Sequence, residues 1–386
     1  MAIRYSVIIP TFNRAEQLLL TLVALDRVTY PKEQYEIIVV DDGSTDGTRK
    51  LVEGFHTASP LTYLSNEVQR GRSVTRNLGL RHARGLYVVF CDADFVVVPE
   101  FFRILDDSHR KFPRSVLSAF PYSWDDVYTH VHPDFSPEEK QMCRDVLTQA
   151  GLWKDEYETI DHIVPLITPD DLVNQRERLS QLILPDIKAP GVKEQFAKTD
   201  VAPWLQLITR CVSIKRSYVT RIGGFNERFF KYGLEDWELG YRLHRKKIRF
   251  RCIRQVLGYH QMHPNLYRGE VGNIDNLRIM FRSNGCKDPE LNLFALMPAW
   301  EDVVTYKHAL RVLRRGMRSK AERPIALLMK RTLRIAAVQM VQRKGPEAFR
   351  RSLRPIRNRL RASKKKGQTA QLLRTLLDKC DSLANG

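Results

Sequence analysis

The chain has 386 residues, room for two or three domains, and its 28% charged and 43% apolar residues match a soluble globular protein. Its formal net charge of +19 is unevenly placed: residues 301–386 hold 23 Lys and Arg against 6 Asp and Glu, so the first 300 residues carry only +2. No apolar run reaches the ~18 residues of a spanning helix, the six cysteines form no CxxC pair, and no P-loop, GxGxxG, HExxH or GxSxG motif occurs. Membrane-spanning, disulfide-framed, ATPase, dinucleotide-oxidoreductase, zincin and serine-hydrolase classes lose their usual support, and free thiols in a cytoplasmic protein are the expectation.

In chain order, the apolar part of Met1–Pro10 is too short for a signal peptide and reads as a strand closed by Pro10. Leu18, Leu19, Leu22 and Leu25 recur at helical spacing. Glu36–Val40 reads as a buried strand, followed by Asp41-Asp42-Gly43-Ser44-Thr45-Asp46, where Ser44 or Thr45 would cap a helix through Leu51 and Val52. Leu61–Leu64 reads as a third strand, Ser73–Ala83 as a helix and Tyr87–Cys91 as a fourth strand. This alternation predicts a mostly parallel α/β sheet, whose ligands bind beyond the carboxyl ends of the strands. The polar residues after Ile9, Val40 and Cys91 would meet at that rim. Residues 122–200, rich in Asp, Glu, Pro, Tyr and Trp, read as an inserted helical or loop segment; strand signals return at Leu207–Ile214. From Tyr306 the chain reads as basic helices broken at Pro324, Pro346 and Pro355.

Three clusters carry chemistry. Asp92-Ala93-Asp94 ends an apolar strand with two carboxylates at i and i+2, placed to converge on a hard divalent cation such as Mg²⁺ or Mn²⁺; a turn cap before Pro99 is the plainer alternative. Gly223-Gly224-Phe225-Asn226-Glu227 precedes Glu235-Asp236-Trp237-Glu238, an acidic helix start beside a glycine loop. A carboxylate there suits general-base work on a hydroxyl, and the Trp suits stacking on a sugar face. In His260-Gln261-Met262-His263, one imidazole is expected to complete the shell of Asp94, and His263 to bond locally at the surface.

Taken in order, these pieces resemble a family 2 glycosyltransferase of the GT-A fold. The resemblance runs over roughly residues 1–290 through Ser6–Arg14, Val39–Thr48, Gly71 with Arg76-Asn77-Leu78-Gly79, Asp92–Asp94, Gly223–Glu227 with Glu235-Asp236, and His260–Pro264. The last piece resembles the subgroup of chondroitin-polymerase and galactosyltransferase-like modules. The resemblance implies an inverting, metal-dependent transfer from a UDP-sugar to a glycan, lipid-linked or peptide acceptor, in polysaccharide or glycoconjugate synthesis. Pro10, Thr11, Asn13, Arg14, Asp41, Asp42, Arg76, Asp92 and Ala93 would bind the donor. Asp94 and His260 would hold Mn²⁺ or Mg²⁺, Asp236 would be the base with Glu235 beside it, and Glu235, Trp237, Gly223 and Gly224 would meet the acceptor.

The implied division is a nucleotide-sugar half at 1–121, an insertion at 122–200, an acceptor and catalytic half at 201–298, and a basic helical extension at 299–386. The insertion is longer than the family pattern and the extension matches none. The extension is read first as packed helix, with contact to an anionic membrane at the inner face, or steering of an acidic acceptor, as alternatives. The competing functional reading is an inactive protein that binds nucleic acid or another polyanion through Arg350–Lys366. Few aromatics accompany that basic run, so no nucleic acid is expected.

Overall fold

The computed structural model describes residues 2–184, 191–268, 271–363 and 365–385; Lys364 of the basic run lies outside them. They fall into two compact units, Met1–Lys188 with Trp204–Val271, and Ala189–Pro203 with Gly272–Gly386. The strands are β1 (Tyr5–Thr11), β2 (Tyr35–Asp41), β3 (Leu61–Ser65), β4 (Tyr87–Cys91), β5 (Phe95–Val97), β6 (Ser115–Ser118), β7 (Asp126–Val127), β8 (His130–Val131), β9 (Val164–Pro165), β10 (Cys211–Lys215), β11 (Arg249–Cys252) and β12 (Gly258–Gln261).

In the first unit seven strands form one sheet in the order β11-β6-β10-β4-β1-β2-β3. Only β10 runs antiparallel to its neighbours. β2 is buried along its whole length, which is why it reads as a continuous β-branched run and not as an alternating one. Pairing of β1 with β4 stops at Ile8 opposite Phe90, so Pro10 falls where that ladder has ended and a strand tolerates it. The helix Arg72–His82 lies so close to the sheet that a Cβ at Gly79 would sit 2.5 Å from an Ile8 methyl. β1, β2 and β4 thus deliver Thr11, Asp41 and Cys91 to one rim, with Asp42 and Asp92 just beyond.

A second, three-stranded sheet, β5-β12-β7, stands after the Asp92–Asp94 turn. β7 and the paired β8 and β9 come from residues 122–200, so this stretch is more than helices and loops: β7 runs parallel to β12 and carries Asp126 opposite His260. Ser44 and Thr45 do not cap the next helix, which starts at Thr48 behind Gly47. All six cysteines are free.

The second unit is helical. Val303–Arg318, Arg323–Gln342, Pro346–Ser363 and Gln368–Asn385 bury their apolar stripes, among them Tyr306, Leu310, Met329, Leu333, Leu353, Ile356, Leu373 and Leu377. Pro324 and Pro346 open helices, as expected, but Pro355 lies inside one without ending it. The fully buried Lys307 donates to the carbonyls of Gln195 and Lys198 at 2.6 Å each. It closes the C-terminus of the helix Val192–Ala197 and ties the end of the expected insertion to the basic helices. No helix of the described residues is long and apolar enough to cross a membrane.

Candidate active site

Three side chains converge after the Asp92–Asp94 turn. Asp94, His260 and His263 are buried, and one ligand atom from each lies within 4.8 Å of the others. His260 Nε2 is 3.6 Å from Asp94 Oδ1, and His263 Nε2 is 3.4 Å from Asp94 Oδ2. His263 therefore departs from the expectation of a surface residue. β12 puts His260 on the cradle, and the chain then brings His263 back onto it, with Nδ1 donating to the Pro264 carbonyl at 2.9 Å.

The tautomers follow from the partners. His260 Nδ1 meets Asp126 Oδ1 at 2.9 Å, and a carboxylate only accepts. Both Nδ1 atoms carry the proton, and both Nε2 lone pairs face a carboxylate. Asp94 Oδ1 is buried with no hydrogen-bond partner among the described residues. Two lone pairs turned on an anion call for a cation between them, and the donor set of one carboxylate and two imidazoles suits a divalent metal. Burial opposes the charge of Asp94, but the positive charge of His260 and His263 whenever they are protonated, with that of Arg14, outweighs it and holds its carboxyl well below the usual range. Burial and the nearby Arg210 push His260 down, against the pull of Asp94 and Asp126, which keeps its ring neutral and able to ligate.

The second cluster centres on Arg76, whose side chain is 3% exposed. Its Nη2 donates to Asp92 Oδ1 at 3.3 Å, and its Nη1 lies 3.1 Å from Glu235 Oε1 and 3.5 Å from Asp236 Oδ1. Arg76 is thus the bridge between the Asp92 turn and the start of the helix Glu235–Arg245. Asp236 stays 20% exposed. Thr209 holds it from behind, its N–H donating to Oδ2 at 2.9 Å and its hydroxyl lying 2.9 Å from Oδ1. Burial, with Glu235 and Asp92 nearby, pushes the Asp236 carboxyl up to about 7, against the opposing pull of Arg76 and Thr209.

Thr209 and its neighbour Arg210 link the two clusters. Arg210 Nη1 donates to Asp126 Oδ1 at 3.2 Å, and its carbonyl accepts from the Asp92 N–H at 3.0 Å. One dipeptide at the entry to β10 touches the carboxylate of Asp236, the turn of Asp92 and the carboxylate that orients His260.

The remaining expected residues take varied places. The Thr11 hydroxyl is buried at the rim without a partner among the described residues. Asn13, at φ 51°, receives the Thr45 N–H on its Oδ1 and gives its own N–H to Ser44. Arg14 is buried against the Tyr267 ring, 4.8 Å from its centroid, on the metal-cradle side. Asp41 accepts from Tyr63 and the Ser44 N–H. Asp42 accepts from the Arg70 and Gly71 N–H groups, closing the loop ahead of the helix Arg72–His82. The Asp92 side chain is 34% exposed, whereas Ala93 is buried and its carbonyl accepts from Thr21.

The acceptor group differs most from expectation. Glu235 is buried between Arg76 and the Gly233 N–H. Trp237 is buried too, and its indole N–H donates to the Leu205 carbonyl at 3.1 Å, so the ring braces the chain ahead of Thr209 instead of offering a face to a sugar. Gly224 has φ 71°, and a Cβ there would come within 2.4 Å of Asn77 Oδ1. The Asn77 amide clamps the Phe225 N–H and carbonyl at 2.8 and 2.9 Å, so Gly224 serves loop docking, while Gly223 has open space around it.

Two family models match the chain: "Glycosyl transferase family 2" over residues 6–163 and "N-terminal domain of galactosyltransferase" over residues 201–265. Residues 6–163 thus match glycosyltransferase family 2. The two matches contain the Asp92–Asp94 turn, Asp236 and both histidines of the cradle. An uncharacterized glycosyltransferase of Bacillus subtilis is 28% identical over 71% of this chain and 67% of its own length. The chondroitin synthase of Escherichia coli is 29% identical over 67% of this chain and 35% of its own. The matched stretch thus spans from two thirds down to about one third of these relatives. Among solved structures, that of Staphylococcus aureus TarS aligns with 99% of this chain and 55% of its own, at 16% identity and a TM-score of 0.50, a likeness of fold. The fold is the GT-A arrangement expected of the family.

Proposed function

We propose that the chain is an inverting, metal-dependent transferase that moves a sugar from a UDP-sugar to an acceptor hydroxyl. The observation that carries this reading is the pairing of the Asp94, His260 and His263 cradle with a separate, partly exposed carboxylate, Asp236, joined to it through Arg76 and Asp92. Transfer from a nucleotide sugar needs both: something to meet the charge of the departing diphosphate, and a base for the acceptor proton. Asp94, His260 and His263 would hold a divalent ion, whose chemistry is Lewis-acid neutralisation of that diphosphate. Two imidazoles beside one carboxylate suit Mn²⁺ better than the harder Mg²⁺.

The protein's own residues do the rest. The Thr11 hydroxyl, without a partner among the described residues, and the rim at Asp41 and Asp42 would receive the nucleoside. Asp92, one-third exposed, would face the ribose. Asp236 takes the proton of the acceptor hydroxyl while its oxygen bonds to the anomeric carbon. The bond from that carbon to the phosphate oxygen breaks on the opposite side, its electron pair leaves with the diphosphate, and the configuration inverts. Thr209 holds the Asp236 carboxylate by two donors, and Arg76 with Glu235 holds the start of its helix.

The UDP class of donor rests on the family resemblance. A glycan acceptor is supported by the matched relative named as a chondroitin synthase. Incubation with a panel of UDP-sugars and Mn²⁺, with released UDP counted and the anomeric proton of any product read by NMR, tests the proposal. UDP release from one donor and a product of opposite anomeric configuration are expected. A product that retains the donor configuration overturns the single-displacement mechanism.

A further inference from the structure

We infer that the C-terminal helical unit is a binding module for an anionic glycan, gripped by arginines of the helix Pro346–Ser363. This helix carries Arg350, Arg351, Arg354, Arg357, Arg359 and Arg361 against a single acid, Glu347. Its apolar residues Phe349, Leu353, Ile356 and Leu360 are all buried, so its fold is already accounted for on the opposite face. Arg351, Arg354 and Arg361 lie on one side of the helix, about 15 Å from first to last at 1.5 Å per residue. Arg357 is paired with Asp381 at 2.8 Å. Arg351, Arg354, Arg359 and Arg361 are exposed and make no ion pair or hydrogen bond with any described residue. Like charges three or four apart on a helix repel, so Arg351 and Arg354 oppose each other unless an outside anion neutralises them.

The chemistry narrows the partner. Guanidinium forks suit carboxylate and phosphate groups, bound in pairs of parallel hydrogen bonds. A bilayer is disfavoured because the apolar face of the helix is buried and cannot insert. Nucleic acid is disfavoured because no Phe, Tyr or Trp is exposed among the described residues of this unit, and single strands are held by stacking. A chain of sugars bearing carboxylates or phosphates needs only the row of charges. The choice of a glycan among polyanions rests on the transferase reading; the row itself does not.

The test compares the full chain with the variant R351Q/R354Q/R359Q/R361Q, using a fluorescent uronic-acid oligosaccharide, a phosphodiester-linked glycan, neutral dextran, single-stranded DNA of matched charge and vesicles containing anionic lipid. The expected result is binding of at least one anionic glycan, none of dextran, and weaker binding of DNA and vesicles. The variant should bind the glycan at least about tenfold more weakly, with the slope of log K against log salt shallower by about 2 to 3. Glycan should also raise the melting temperature of the wild type and not of the variant. The inference is overturned if wild type binds neither anionic glycan, if DNA or vesicles bind more tightly, or if the variant binds as wild type. UDP release without acceptor, read in parallel, reports on the transferase proposal alone and should be equal in the two proteins.

Discussion

At the residue scale the account turns on two carboxylates held in opposite ways. Asp94, between two histidines and near Arg14, stays ionised, whereas Asp236, partly exposed beside other acids, rises to about 7. Because a base must be unprotonated, the rate should fall about tenfold per unit of pH below about 7 and level off above it. Thr209→Val removes a hydroxyl that favours the charged form of Asp236, so the midpoint of this acid limb should move upward; an unchanged midpoint would detach Thr209 from the base. Asp126 acts through His260. Its replacement, Asp126→Asn, should weaken Mn²⁺ binding by about 10- to 100-fold with little change in donor affinity, as titration calorimetry would read.

At the scale of elements, most of the donor-side frame was legible. Buried strands could be read from apolar runs closed at Pro10, Asp41 and Asp92, and the parallel order put those ends together. The cradle was half legible. Asp94 and His260 stand out as acids and imidazoles next to strands, but His263 and Asp126 gain meaning only from β12, which pairs with β5 on one side and β7 on the other. Those partners lie more than 130 residues from His260 or in a stretch read as insertion, and no local pattern announces such pairing. Trp237 and Gly224 take places the sequence does not announce for a related reason: an aromatic and a glycine beside acids look alike in sequence whether they meet a ligand or brace a loop. The structure assigns Trp237 and Gly224 to bracing, while Gly223 stands in open space, with a testable consequence. Gly224→Ala would force a Cβ onto Asn77 at a positive φ, so urea unfolding should show a lower midpoint by about 1 to 3 kcal/mol of stability, with Gly223→Ala, where space is open, costing less.

At the scale of the whole molecule the charge of +19 separates into a near-neutral catalytic unit and a strongly basic helical one. The basic unit is a packed assembly of helices and not a loose tail, since its apolar stripes are buried. The catalytic unit also carries a built-in sensitivity to acid. Burial pushes His109 down to about 3, His130 to about 4 and His132 to about 3. Unfolded histidines take up protons below about 6.5 and these folded ones do not, so the stability present above that pH is lost as pH falls toward 4, at up to about 1.4 kcal/mol per unit for each histidine. Denaturant midpoints that stay level between pH 6.5 and 4.5 would contradict this.

The central claim is that one side of the site carries a metal and the other a base. UDP release from the preferred UDP-sugar, measured at pH 8 for wild type and Asp236→Asn with Mn²⁺ and again after excess EDTA, tests both halves at once. The account predicts turnover by wild type with Mn²⁺, none after EDTA, recovery when Mn²⁺ is restored, and in Asp236→Asn a loss of about 10²- to 10⁴-fold with donor binding retained. Full turnover in EDTA, or normal turnover by Asp236→Asn, would contradict it.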